Sequence, residues 1–346
     1  MQSALNQELY QFIPKGRINA LDILRGLAII MMTLPHQTLP FNLQSTLIGH
    51  QLFIIGAYYT RPMFIAVSGM AIVLYEKKYQ WPFRMITHGC ILFTMAWSAD
   101  VLTHQRLNVD WDIFQLIGAC YAIAGTLCYA GDNRKKFFVL FVLLLIWFFF
   151  PSIRPDQGLF PIWPNGIYFI GGYLIAKWGL SRFNLAWTIA LALVFCIVYF
   201  PCFYIYSHRT VETSTNFMGI MASFSCIFIL LCLTLLLENK QLSNKRPQSM
   251  ILRFGLYPVS LYFMQQFFTV FGLRYNFKLV LTGVSIMDCI LQTMLLLIGM
   301  YFTTYLFDRI KFLSVEFWLR RTESFIMDIV PARGIFKQLP TKTALS

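Results

Sequence analysis

The fold class that the sequence predicts is an all-α, polytopic membrane protein of about ten transmembrane helices with both termini in the cytoplasm. Three observations carry it. Of the 346 residues, 58% are hydrophobic and only 12% are charged, with 34 Phe, against roughly 25% charged residues in soluble domains. The mean hydropathy is +0.61. Apolar segments long enough for about 30 Å of hydrocarbon recur along the chain. Finally, an N-terminus placed in the cytoplasm puts 21 Lys and Arg on the inner side of these segments and five on the outer side. That asymmetry is the positive-inside rule, so the net charge of +13 reads as topology and not as a nucleic-acid surface.

The first span, 20–40, opens after Asn19, a candidate N-cap. The second, 47–75, carries Arg61 in its middle, and the third, 83–103, follows the inner cations Lys77, Lys78 and Arg84. The fourth, 111–130, begins beside the acidic "VDWD" of Val109 to Asp112, whose carboxylates either greet a sugar or, the preferred reading, are simply solvated, and ends before Arg134. The fifth, 136–151, is the shortest. The sixth, 160–179, has Trp163 and Pro164 to kink its start and Gly171 and Gly172 for close packing. Spans 185–206, 216–237, 252–273 and 279–307 complete the set. Residues 1–16 form a cytoplasmic segment without the features of a secretory signal, 17–312 the transmembrane domain, and 313–346 a cytoplasmic amphipathic helix and tail. Glu316 and Arg320, at i,i+4 spacing, are expected to form a surface ion pair there. The eight cysteines, with no CxxC and no cluster at metal spacing, predict neither a disulfide framework nor a metal site.

Ionisable groups inside a membrane helix are costly and face the bundle interior. Asp22 either caps the first helix or orients Arg25, three residues on and on the same face. From Arg25 to His36 is eleven residues, which returns to within about 20° of the starting direction while climbing about 16 Å. The guanidinium and the imidazole thus share one stripe, and Pro35 disturbs the turn before His36. Arg61, flanked by apolar sequence, requires a partner, in a site or in a buried structural pair. Gln115, Gln265 and Gln266 contact a ligand or bond neighbouring helices. His88 and His208 flank loops and receive no role.

Arg25, Gly26 and His36, with ten residues between Arg and His, resemble the first-helix motif of the acyltransferase-3 family of membrane enzymes. Five further stretches, in order, resemble the bacterial relatives of the heparan-α-glucosaminide N-acetyltransferase catalytic domain: "TRPMFIAVSGMAI" (60–72), "FQLIGA" (114–119), "LFPIWPNGIYFIGGYLI" (159–175), "LRFGLYPVSLYFMQQ" (252–266) and "SVEFWLRR" (314–321). Ser314 and Val315 depart from the Gly-Pro common before the Glu of the last motif, Glu316, for which the resemblance implies a structural use. The resemblance implies a membrane acyltransferase that moves an acyl group, acetyl above all, from cytoplasmic acyl-coenzyme A to a hydroxyl or amine of a cell-envelope or exported glycan. It implies His36 as the catalytic group, with His50 and His104 as alternatives because the histidine's place differs among these families. Asp22, Arg25 and Arg61 would serve the coenzyme, and Gln115, Tyr262 and Gln265 the acceptor. Acetyl-coenzyme A is the donor, without a metal. The partners are a glycan and membrane lipids, with a homodimer allowed and no nucleic acid, in a bacterial inner membrane. The rival readings are a transporter or flippase of a lipid-linked or small polar substrate, and a catalytically silent scaffold.

Overall fold

A computed structural model describes residues 19–47, 60–75, 81–104, 112–128, 162–179, 250–275 and 277–329, with isolated positions between them. Every regular element among the described residues is helical: α1 (Asn19–Thr38), α2 (Arg61–Tyr75), α3 (Trp81–His104), α4 (Ile113–Cys128), α5 (Ile162–Leu174, continued by the π turn Ile175–Gly179), α6 (Met250–Leu256), α7 (Pro258–Arg274), α8 (Ser285–Arg309) and α9 (Val315–Ile329). Spans 136–151, 185–206 and 216–237 lie outside the described residues apart from single positions, as do residues 1–16, the tail after 329, His50, His208 and the side chains of Asn19 and His104. Among the described residues one helix, α8, is both long and apolar enough to cross a bilayer; α2 and α4 are apolar but shorter. Exposed Phe267, Phe268, Met294, Leu295, Ile298 and Phe302 on α7 and α8 form a face that suits lipid better than water.

Glycines set the helix packing. A Cβ on Gly26 would overlap the carbonyl oxygen of Ile251, and one on Gly255 that of Asp22, so α1 and α6 touch backbone to backbone. Gly69 and Gly172 bring α2 and α5 together in the same way, and Gly89 and Gly118 do so for α3 and α4. Small residues permit such contacts where lipid offers no hydrophobic drive between helices.

The direction of packing corrects two expectations. Gly26 faces Ile251 while Gly255 faces Asp22, so α6 passes α1 in the opposite sense. Beyond Tyr257, α7 runs parallel to α1, with Thr33 bonded to Gln265 and Gln37 to Thr269. The predicted span 252–273 is therefore two helices, broken at Tyr257–Pro258, because proline lacks the N–H that would continue the first. Likewise Gly69 faces Phe169 and Gly172 faces Ala66, which makes α2 and α5 antiparallel. Strict alternation of ten spans would make them parallel and hold Lys177 on the inner side. The pairing instead carries Lys177, in the π turn after α5, toward the first turn of α2.

Glu316 is the third correction. It forms no surface pair with the exposed Arg320; it is buried, accepts the backbone N–H groups of Val259 (2.8 Å) and Ser260 (3.0 Å), and takes the Ser260 hydroxyl. These are orphan donors of the first turn of α7, and the carboxylate caps them from another helix. Glu323 makes a second tie, reaching Arg84 at 3.3 Å and His88 at 3.2 Å. His88 thus sits inside α3 with a partner and flanks no loop.

Two stability predictions follow from these contacts. Gly26→Ala or Gly255→Ala should cost about 1–3 kcal/mol by overpacking, whereas Gly299→Ala, with open space around it, should be neutral or stabilising in detergent unfolding. Burial pushes the Glu316 carboxyl above the usual carboxylate range despite its hydrogen bonds. Its contribution is therefore complete below the unfolded-state pKa and fades as pH rises through the higher folded value. Relative to Glu316→Gln, the native chain should lose stability on going from acid toward neutral pH; a pH-independent difference would contradict this.

Candidate functional site

Asp22 and Arg25 form an ion pair of 3.1 Å within the first two turns of α1, with side chains 3% and 23% exposed. Arg25 also acts electrostatically on Tyr121, whose hydroxyl donates to the Ser68 carbonyl at 2.8 Å and whose ring packs edge-on against His88 and Phe169. One end of the bundle thus gathers Asp22, Arg25, Tyr121, His88, Arg84 and Glu323.

Helix α1 continues through Pro35 to Thr38. Between Arg25 and His36 the shared stripe holds Ile29 and Met32, both buried, so it faces protein. Near Pro35 the Met32 carbonyl accepts from the Gln265 amide at 3.3 Å, and the Thr38 hydroxyl donates to the Pro35 carbonyl at 2.6 Å. His36 Nδ1 is buried without a hydrogen-bond partner. Buried polar atoms are almost always bonded, and the open imidazole nitrogen is an exception to that rule. The neighbouring polar side chains are occupied with one another: Gln37 accepts from Gln292 at 2.8 Å and donates to Thr269 at 3.3 Å. Gln265, expected either at the acceptor or between helices, joins α7 to Thr33 and Met32 of α1.

A second centre forms where α4 begins. The Asp112 Oδ1 accepts from Ile113 N at 2.6 Å and from the Tyr262 hydroxyl. Gln115 Oε1 in turn accepts from Asp112 N at 2.9 Å, the half of a capping box in which the third helical residue reaches back to the N-cap. Of the two readings of the Asp112 carboxylate, simple solvation is corrected: a tyrosine from α7 donates to it. Tyr262, 1% exposed, also accepts from Gln266 Nε2 at 2.7 Å and packs on Phe114 with ring centroids 4.7 Å apart. Arg61, first residue of α2 as described, interacts electrostatically with Tyr168, Tyr262 and Asp112. The charge partner expected for the Arg61 guanidinium is therefore Asp112, at the start of α4.

The centres differ in what they leave unmet. Tyr262→Phe removes a hydrogen bond to a carboxylate and should lower the unfolding free energy by about 1.5–3 kcal/mol. His36→Gln breaks no bond at Nδ1 and should cost much less. Reversible unfolding in mixed micelles compares the two; equal losses would mean that His36 has a structural partner.

No curated protein matches the chain. Residues 17–178, the stretch that carries Asp22, Arg25, His36, Arg61, Asp112 and Gln115, match the family model described as heparan-alpha-glucosaminide N-acetyltransferase, catalytic, an acetyltransferase-type domain.

Proposed function

We propose that the protein is an integral membrane acyltransferase of a bacterial inner membrane, moving an acyl group, acetyl above all, from cytoplasmic acyl-coenzyme A to a hydroxyl or amine of a cell-envelope or exported glycan. The observation that carries this reading is the open Nδ1 of His36, on the same stripe of α1 as the Asp22–Arg25 pair and within the stretch similar to an acetyltransferase domain.

The chemistry asks little that these residues lack. A thioester has a good leaving group, so the transfer needs a base, an anchor for the coenzyme and alignment of two substrates. The neutral imidazole of His36 takes the proton of the acceptor's hydroxyl or ammonium-derived amine as its heteroatom attacks the thioester carbonyl. The tetrahedral intermediate collapses, the C–S bond breaks, and the thiolate receives the proton from the imidazolium. An imidazole can alternatively carry the acyl group itself before the acceptor attacks. Arg25, held by Asp22, offers paired N–H donors to phosphate or pantetheine oxygens. The separation of about 16 Å along α1 suits an extended pantetheine arm between anchor and base. No group of three or more His, Cys, Asp or Glu that could hold a metal occurs among the described residues, and the proposed chemistry calls for none.

Thiol release from acetyl-coenzyme A by the protein in lipid nanodiscs, with an envelope-glycan extract, tests the proposal. His36→Ala should lower the rate by at least about 100-fold, the span of general-base catalysis, and Arg25→Ala should raise the KM for the coenzyme. Wild-type protein that releases no thiol and binds no coenzyme would sink the acyltransferase reading and favour the transporter.

A further inference from the structure

Helices α2 and α4 run parallel, since Phe64 meets Phe114 and the Ser68 carbonyl receives the Tyr121 hydroxyl. Their first turns consequently lie side by side, and it is there that two neutral polar atoms are buried with nothing to bond. Gln115 is 1% exposed; its Oε1 is pinned on Asp112 N, which fixes the amide head beside the Asp112 carboxylate, and its Nε2 has no partner. Thr60, also 1% exposed, adjoins Arg61 in sequence, and its Oγ1 has no partner. Each open group carries a desolvation penalty that only a ligand or trapped water would relieve.

The charges of the place select among ligands. Arg61 and Asp112 act on each other, so the guanidinium offsets the carboxylate. What remains is a set of neutral hydrogen-bonding groups. A phosphate would meet the Asp112 carboxylate, and an ammonium would meet Arg61; a hydroxyl group, donor and acceptor at once, meets neither objection. Phe114, packed on Tyr262, adds an apolar edge of the kind that a sugar ring covers.

We infer that Thr60, Arg61, Asp112, Gln115 and Tyr262 form a subsite for a neutral, hydroxyl-rich ligand, the sugar ring of the acceptor. Its existence rests on the orphaned atoms; its assignment to the acceptor rests on the acyltransferase reading. Arg61 thereby passes from the coenzyme to the acceptor, and Asp112 becomes a positioning residue that orients Gln115 and Tyr262.

The test separates binding from turnover. A panel of methyl glycosides is offered to the protein in nanodiscs and followed by saturation-transfer NMR, with coenzyme A binding measured by calorimetry on the same preparation. Thr60→Val removes a hydroxyl that bonds nothing in the protein and should fold as well as the wild type. Gln115→Glu keeps the oxygen that caps α4 and removes the open donor. Both should weaken glycoside binding by tenfold or more and leave coenzyme A affinity within twofold. Glycosides that fail to bind the wild type, unchanged binding in both variants, or a loss confined to coenzyme A would each overturn the subsite. Glycoside binding that depends on Gln115 without any coenzyme binding or thiol release would leave the subsite standing and remove acyl transfer alone.

Discussion

The contact of α1 with α6 at Gly26 and Gly255 is the constraint on which the geometry of the site depends. With no side chain between them, the two backbones meet and the Asp22 carbonyl lies against Gly255. That contact fixes the height of α1 against the segment that turns at Tyr257 and returns as α7. From there the ladder is determined: Thr33 at Gln265, Gln37 at Thr269, and Gln292 of α8 at Gln37. Glu316 holds the lower end of α7 by capping its first turn. The glycine of the Arg-Gly motif thus serves packing, while the arginine beside it pairs with Asp22.

Within this frame the polar residues divide by what they leave open. Ion pairs and amide bridges inside an apolar bundle must be complete, because an unpaired buried group loses its solvation for nothing. Asp22 with Arg25, Gln265 with Met32 and Thr33, and Glu316 with α7 meet that requirement. His36 Nδ1, Gln115 Nε2 and Thr60 Oγ1 do not. These three atoms are neutral, and two of them, on Gln115 and Thr60, adjoin the charged Asp112 and Arg61.

How much of this could be read from the sequence follows from the range of each interaction. The Asp22–Arg25 pair and the Arg25–His36 stripe were legible because helical periodicity is local. The similarity to an acetyltransferase domain was legible from several weak motifs in order, and the family match covers those of the first half of the chain. Gln265 as a bond between helices follows from the cost of an amide in lipid. The tie of Asp112 to Tyr262 was not legible because the two are 150 residues apart. Glu316 presented an attractive i,i+4 partner in Arg320, and the N–H groups that claim it lie 57 and 56 residues away. The break at Tyr257–Pro258 and the antiparallel pairing of α2 with α5 escaped because hydropathy reports length and apolarity, not direction.

The central claim is that acyl transfer occurs at His36, between a donor on one face and an acceptor on the other. It is tested most directly in sealed vesicles of uniform orientation, with label in the acetyl group of acetyl-coenzyme A on the cytoplasmic face alone and glycan on the opposite face alone. The account expects labelled glycan to accumulate with the native protein and to vanish with His36→Gln. Label transferred equally well without His36, or none transferred unless donor and acceptor share one face, would contradict it.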